Sequence, residues 1–85
     1  MSKLICVDAG HGGDDSGAQG NGILEKNITL KVAKEVGRIL EKQGISVIYT
    51  RTADKDVSLK QRCKTANNGN ADLFVSIHIN SSDNK

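Results

Sequence analysis

Leu4-Ile5-Cys6-Val7-Asp8-Ala9-Gly10-His11-Gly12-Gly13 is the stretch whose reading decides the fold. An apolar run this short, closed by glycines, predicts a buried strand over 3–8 that runs into a tight loop. The loop carries one side chain with reactive chemistry, His11. Glycines on either side remove bulk and let the backbone take positive φ, so the imidazole can stand clear at the end of the strand.

Outward from there, residues 8–24 form a long loop holding Gly10, Gly12, Gly13, Gly17, Gly20 and Gly22, with Asp14 and Asp15 among them and Glu25 just beyond. Loops this long inside a compact unit are uncommon and usually functional. From about Lys26 the period changes. Ile28, Val32, Val36, Ile39 and Leu40 fall on one helical face, and Lys31, Lys34, Glu35, Arg38 and Glu41 on the other. Gly44 closes this helix after Gln43. The β-branched run Ile45-Ser46-Val47-Ile48-Tyr49-Thr50 predicts the second strand. After a polar connection, Ser58-Leu59-Lys60-Gln61 has the capping-box form and opens a short helix with the apolar stripe Leu59, Cys63, Ala66. A third strand over 72–78 runs into His78, and the chain then decays into polar loop composition.

Strand, helix, strand, helix, strand implies an α/β fold: a parallel β-α-β-α-β sheet with right-handed helical crossovers. The common order 2-1-3 puts the first strand in the centre. Three parallel strands with two helices leave faces and an edge bare, whereas parallel sheets are normally buried on both sides. Residues 1–85 are therefore expected to be the first, incomplete part of a larger three-layer α/β domain. The bare edge is expected either to receive the missing half or to drive self-association.

Composition narrows the partners. Twelve Lys and Arg against ten Asp and Glu give a net charge of +2, with one Tyr and one Phe. Neither the charge nor the aromatic content supports nucleic-acid binding. No segment is apolar enough to span a membrane, and no signal-peptide core follows Met1. The chain is expected to be made in the cytoplasm, so an extracellular role needs release by lysis or a non-classical route. Cys6 and Cys63 make neither a CxxC motif nor a disulfide framework and are expected to be buried, reduced thiols.

Both histidines of the chain, His11 and His78, fall at the carboxyl ends of strands, where ligands bind in open α/β sheets. If the first and third strands are neighbours, the two imidazoles converge. Glu25, at the start of the first helix, lies on the same side. Two imidazoles and one carboxylate with an open fourth position make the catalytic zinc arrangement. Each residue also has an ordinary alternative: a strand-end polar residue for either His, a helix-start carboxylate for Glu25, solvated turn residues for Asp14 and Asp15. A phosphate site on the glycines is weak, because GxGxxG fails at Asp15 and no GK[ST] occurs. A non-catalytic cell-wall or ligand-binding module using the same loop surface stays open; a stoichiometric transition metal distinguishes the two.

The ordered set Val7-Asp8-Ala9-Gly10-His11-Gly12-Gly13, Gly17-Ala18, Glu25-Lys26-Asn27, Thr50-Arg51, Leu59…Arg62…Ala66-Asn67 and Ala71-Asp72…Ser76-Ile77-His78-Ile79-Asn80 resembles the zinc-dependent N-acetylmuramoyl-L-alanine amidases of the amidase-3 type. These are bacterial autolysins, spore-lysis enzymes and phage endolysins. The resemblance implies Zn²⁺ on His11, Glu25 and His78, peptidoglycan as substrate, and hydrolysis of the amide between N-acetylmuramic acid and the L-alanine of the stem peptide. It implies a low rim at Gly12 and Gly13, and roles near the site for Asn80 and Arg51, the latter equally an ion-pair partner. It also implies a catalytic glutamate late in a domain about twice this long, hence beyond Lys85. On that basis the 85 residues are the N-terminal portion of an amidase-3 type catalytic domain, truncated and inactive alone.

Overall fold

The computed structural model describes residues 3–14, 17, 19–20 and 23–78. Its elements are β1 (Leu4–Ala9), β2 (Gln19–Gly20), β3 (Ile23–Leu24), α1 (Glu25–Lys42), β4 (Ser46–Tyr49), α2 (Leu59–Asn68) and β5 (Leu73–Ile77). The main sheet has the order β4-β1-β5, with both pairings parallel. This is the expected arrangement, with the first strand central. Val7 pairs with Tyr49 on one side and Val75 on the other, and Ala9 with Ile77. A central parallel strand is covered on both faces, which explains why Cys6, Val7 and Ala9 are fully buried. Burial, and after it the charge of Asp8, pushes the Cys6 thiol up, so it stays protonated.

Within the long loop the structure adds a feature that the sequence did not suggest. β2 and β3 pair antiparallel, Gln19 with Leu24 and Gly20 with Ile23. A ladder of two residues is too short to show a period. It nonetheless fixes how the chain enters α1, and with it the place of Glu25.

Helix α1 covers β1 and β4, but not with the face expected. Its buried residues are Glu25, Thr29, Ala33 and Gly37, spaced by four, while Val32 and Ile39 are 40% and 48% exposed. Leu30, Val36 and Leu40 pack beside this row of small side chains. Small residues at the contact let the helix lie close to the sheet, and a hydropathy pattern follows the larger residues that flank such a row. At the far end, Gly44 with φ +82 closes the helix. Its amide donates to the Glu41 carbonyl and the Ile45 amide to Leu40, the paired bonds of a Schellman stop.

Helix α2 starts as expected, with the Ser58 hydroxyl accepting from the Gln61 amide at 3.1 Å. Its apolar stripe is not buried, however. Leu59 is 76% exposed and Cys63 is exposed, so only Cys6 behaves as a buried thiol. α2 is turned so that Arg62 is its buried residue, and the Leu59 face has no cover among the described residues. Leu73 and Phe74 of β5 are exposed as well. No helix among the described residues is long and apolar enough to cross a membrane.

Gly37 gives a direct check on the close approach of α1. A Cβ there would collide with the Tyr49 hydroxyl and Cζ. Gly37→Ala improves helix propensity by about 1 kcal/mol, yet overpacking should cost about 1–3 kcal/mol and win. Thermal unfolding should show a lower midpoint for Gly37→Ala, partly restored by Tyr49→Val. A raised midpoint for the single variant would contradict this packing.

Candidate metal centre

Three elements bring one side chain each to the carboxyl edge of the sheet. His11 follows β1, Glu25 opens α1, and His78 follows β5. His11 Nε2 lies 3.1 Å and His78 Nδ1 3.5 Å from the same oxygen, Glu25 Oε2. The two rings meet edge to face, with centroids 5.1 Å apart. One donor atom from each residue falls within 4.8 Å of the others. Donor atoms of a tetrahedral zinc site lie about 3.3–3.6 Å apart, so the two contacts to Glu25 are near that spacing and the set as a whole is somewhat wider. Glu25 is nearly buried, whereas His78 is half exposed, so the cluster has a closed floor and an open side.

Backbone shape makes this meeting possible. His11 itself has φ 63, in the left-handed region where a non-glycine residue costs about 1–2 kcal/mol. Gly10 lets the His78 ring lie directly on the chain, since a Cβ would stand 2.6 Å from its Nδ1. Gly17, at φ +72, passes equally close to the other two ligand candidates. A Cβ there would be 2.6 Å from His11 Cδ2 and 2.8 Å from Glu25 Oε1. Gly10 and Gly17 are therefore packed against the cluster by its own side chains.

Beneath the cluster lies a polar foundation that the sequence analysis left largely unassigned. Asp8 is 3% exposed. It accepts from Thr50 Oγ1 at 2.6 Å and Ser76 Oγ at 2.7 Å, and is ion-paired with Arg62. One carboxylate thus ties the ends of β1, β4 and β5 to α2. Burial pushes the Asp8 carboxyl up, but the Thr50, Arg62 and Ser76 donors together hold it below the ordinary aspartate value.

Arg51 and Arg62, both buried, spend their guanidinium groups mainly on backbone carbonyls. Arg51 Nε donates to Ala9 O at 3.1 Å, and its Nη2 donates to Gly10 O and Lys26 O, each at 2.9 Å. Arg62 donates to Ala9 O at 2.7 Å, His11 O at 2.9 Å and Val57 O at 2.9 Å. Arg51 is therefore a backbone clamp, without an ion-pair partner among its hydrogen bonds. Burial, and then the neighbouring Arg62 charge, lowers its pKa. Outside this pair, Asp54 takes the Gly13 amide at 2.7 Å and the Lys26 ammonium at 2.9 Å, pinning the glycine loop to the 51–57 connection.

Of the expected site residues, His11, Glu25 and His78 come together, and Asn80 lies outside the described residues. Missing from the sequence-based set were Asp8, Thr29, Arg62 and Ser76, which support the site without joining the cluster. Thr29 Oγ1 donates to Gly10 O at 2.6 Å. The signal available for them was position alone: Asp8 and Ser76 fall on the same ends of strands as the histidines.

A His₂Glu cluster at the carboxyl edge of a parallel sheet defines a candidate metal-dependent hydrolase of the α/β class. The family described as N-acetylmuramoyl-L-alanine amidase, amidase-3 type, matches residues 5–85, and the chain belongs to it. It is 51% identical over 79 residues to the sporulation-specific N-acetylmuramoyl-L-alanine amidase of Bacillus subtilis (strain 168), covering 91% of this chain and 31% of that protein. It is 53% identical over 81 residues to the endolysin of Bacillus phage SPP1, covering 94% and 30%. Among solved structures, N-acetylmuramoyl-L-alanine amidase AmiC2 of Nostoc punctiforme superimposes with a TM-score of 0.91 at 49% identity, over 98% of this chain and 47% of that one. The amidase of Clostridium difficile 630 gives a TM-score of 0.93 at 40% identity, covering 99% and 47%. The chain thus spans about a third of these curated relatives and just under half of these solved chains.

Acid unfolding checks the role of Asp8. A carboxyl with a lowered folded pKa contributes stability that is present above its unfolded value, near pH 4, and lost as pH falls through the folded value. Asp8→Asn should lower stability by about 3–5 kcal/mol at neutral pH, because it strips Arg62 of its counter-charge. Urea unfolding from pH 7 down to 3 should show the gap between wild type and variant shrinking below about pH 4. A gap independent of pH would contradict the account.

Proposed function

We propose that the protein is a peptidoglycan hydrolase whose His11, Glu25 and His78 hold one zinc ion, and that its reaction is cleavage of the amide between N-acetylmuramic acid and the L-alanine of the stem peptide. The carrying observation is the convergence of these three side chains on one point. Membership of the amidase family, and relatives named as amidases and an endolysin, support the bond and the substrate.

When bound, zinc polarises a carbonyl and lowers the pKa of a coordinated water toward about 7. The chain's own residues do the rest of what this part of the site requires. Glu25, nearly buried, would supply a carboxylate oxygen to the ion, and His11 and His78 one ring nitrogen each. His78, half exposed, faces the side from which a polymer can approach. Gly12 and Gly13 do not form the expected low rim: a Cβ at either would strike the 51–57 connection, at Lys55 O and at Asp56.

Hydrolysis also needs a group to take a proton from water and return it to the leaving amine. Among the described residues no further carboxylate joins the cluster. Asp8, which lines the same cleft, has its oxygens committed to Thr50, Arg62 and Ser76. We therefore assign the base to the portion of the amidase domain outside these 85 residues, consistent with a chain that covers 47% of a solved relative. The same portion is the natural cover for Leu59, Leu73 and Phe74.

Two measurements test this. The chain should bind about one zinc, and His78→Ala should retain much less; equal zinc in both would defeat the assignment and favour a non-catalytic binding module. Release of stem peptides from purified cell walls should be at least about 10²–10⁴-fold slower for the 85 residues than for the same chain extended through a full amidase domain. Equal rates would place the base inside residues 1–85.

A further inference from the structure

His11 adopts a backbone conformation that favours glycine, with φ 63, and it is the one ligand candidate whose backbone does so. Something must hold that turn, since the neighbouring glycines cannot. The three successive carbonyls around it, of Ala9, Gly10 and His11, each accept from a guanidinium. Arg62 reaches the carbonyl of His11 itself, through Nη2 at 2.9 Å. Nη1 of the same group takes Ala9 O at 2.7 Å, so one planar fork bridges the carbonyls on either side of Gly10. Its Nε donates to Val57 O at 2.9 Å and the Asp8 carboxylate pairs with it, so the fork is fixed from behind.

We infer that Arg62 is a positioning residue for the metal centre: by binding the carbonyls of Ala9 and His11 it holds the left-handed turn that aims the His11 imidazole at Glu25 and His78. It touches none of the three donor atoms and acts wholly through the backbone. A planar guanidinium can serve both carbonyls and Asp8 at once, whereas an ammonium is a single point of charge. The charge of Arg62 and its geometry are therefore separable. This inference rests on the proposed zinc site and adds to it the device that preorganises one ligand from α2, 51 positions along the chain.

Arg62→Lys keeps the charge beside Asp8 and loses the fork. With folding checked by circular dichroism, this variant should bind zinc about 10–100-fold more weakly, the range typical of groups that orient a metal ligand. The visible spectrum of its cobalt form should change in shape, because the set of ligands stays and their geometry does not. Gly37→Ala, destabilised far from the loop, should bind zinc like wild type once folded, which separates positioning from general loss of stability. A second measurement needs no variant. If Arg62 favours metal binding, metal must favour the Arg62 contacts, so zinc should slow hydrogen exchange at the Arg62 guanidinium and leave that of Arg38 unchanged. A wild-type chain that binds no zinc would overturn the metal site and this inference together. A zinc-binding wild type with equal affinity and cobalt spectrum in Arg62→Lys, or with Arg62 exchange indifferent to zinc, would overturn this inference alone.

Discussion

The structure depends on how the end of β1 is satisfied. A strand that stops inside a protein leaves carbonyls without a ladder, and each unpaired buried group costs about 1–3 kcal/mol. Here Ala9, Gly10 and His11 turn their carbonyls toward Arg51 and Arg62. Two buried cations need a nearby anion, and Asp8, one turn of pleat earlier, is ion-paired with Arg62. Thr50 and Ser76 fill the remaining positions on that carboxylate, which locks β4 and β5 in register at the same level. The histidine turn is built on this network. Its energetic logic is that of a fully satisfied buried polar cluster, where removal of one member leaves the others uncompensated.

The ligand candidates are all local to this foundation. β1 supplies His11, the β2–β3 hairpin delivers the chain into α1 so that Glu25 points back at it, and β5 ends at His78 beside Gly10. A chain that spans less than half of a solved amidase therefore still carries a formed cluster. What it does not carry among its described residues is cover for Leu59, Leu73 and Phe74. Under the function proposed above, metal binding and proton transfer are separated along the sequence: the three ligand candidates stand on the central strand and its neighbours, and no further carboxylate joins them among the described residues.

Much of this was legible in the sequence, for identifiable reasons. The apolar run 4–7, the β-branched run 45–50 and the capping signal at Ser58 are local features with a period or a motif, and each gave its element. Adjacency of β1 and β5 followed from asking how His11 and His78 could meet. The failures share a cause too: they concern which way a residue faces. Arg62 sits on a helix where a long cation is usually solvated, yet it is the residue α2 buries. Leu59 and Cys63 make an apolar stripe that faces away from the sheet. On α1 the contact row is Thr29, Ala33 and Gly37, which hydropathy ranks below the flanking Val32 and Ile39. Sequence pattern reports average hydrophobicity, whereas close approach and buried carbonyls select small residues and guanidinium groups.

The central claim is that one metal ion sits among His11, Glu25 and His78, with Arg62 holding the His11 turn. Crystals of the chain grown with zinc, with data collected on both sides of the zinc absorption edge, test it most directly. The account predicts a single strong anomalous peak with bonds of about 2.0–2.2 Å to a nitrogen of each histidine and an oxygen of Glu25, with Arg62 Nη2 still hydrogen-bonded to the His11 carbonyl. A peak on other residues, or zinc bound with the Arg62–His11 carbonyl bond broken, would contradict it.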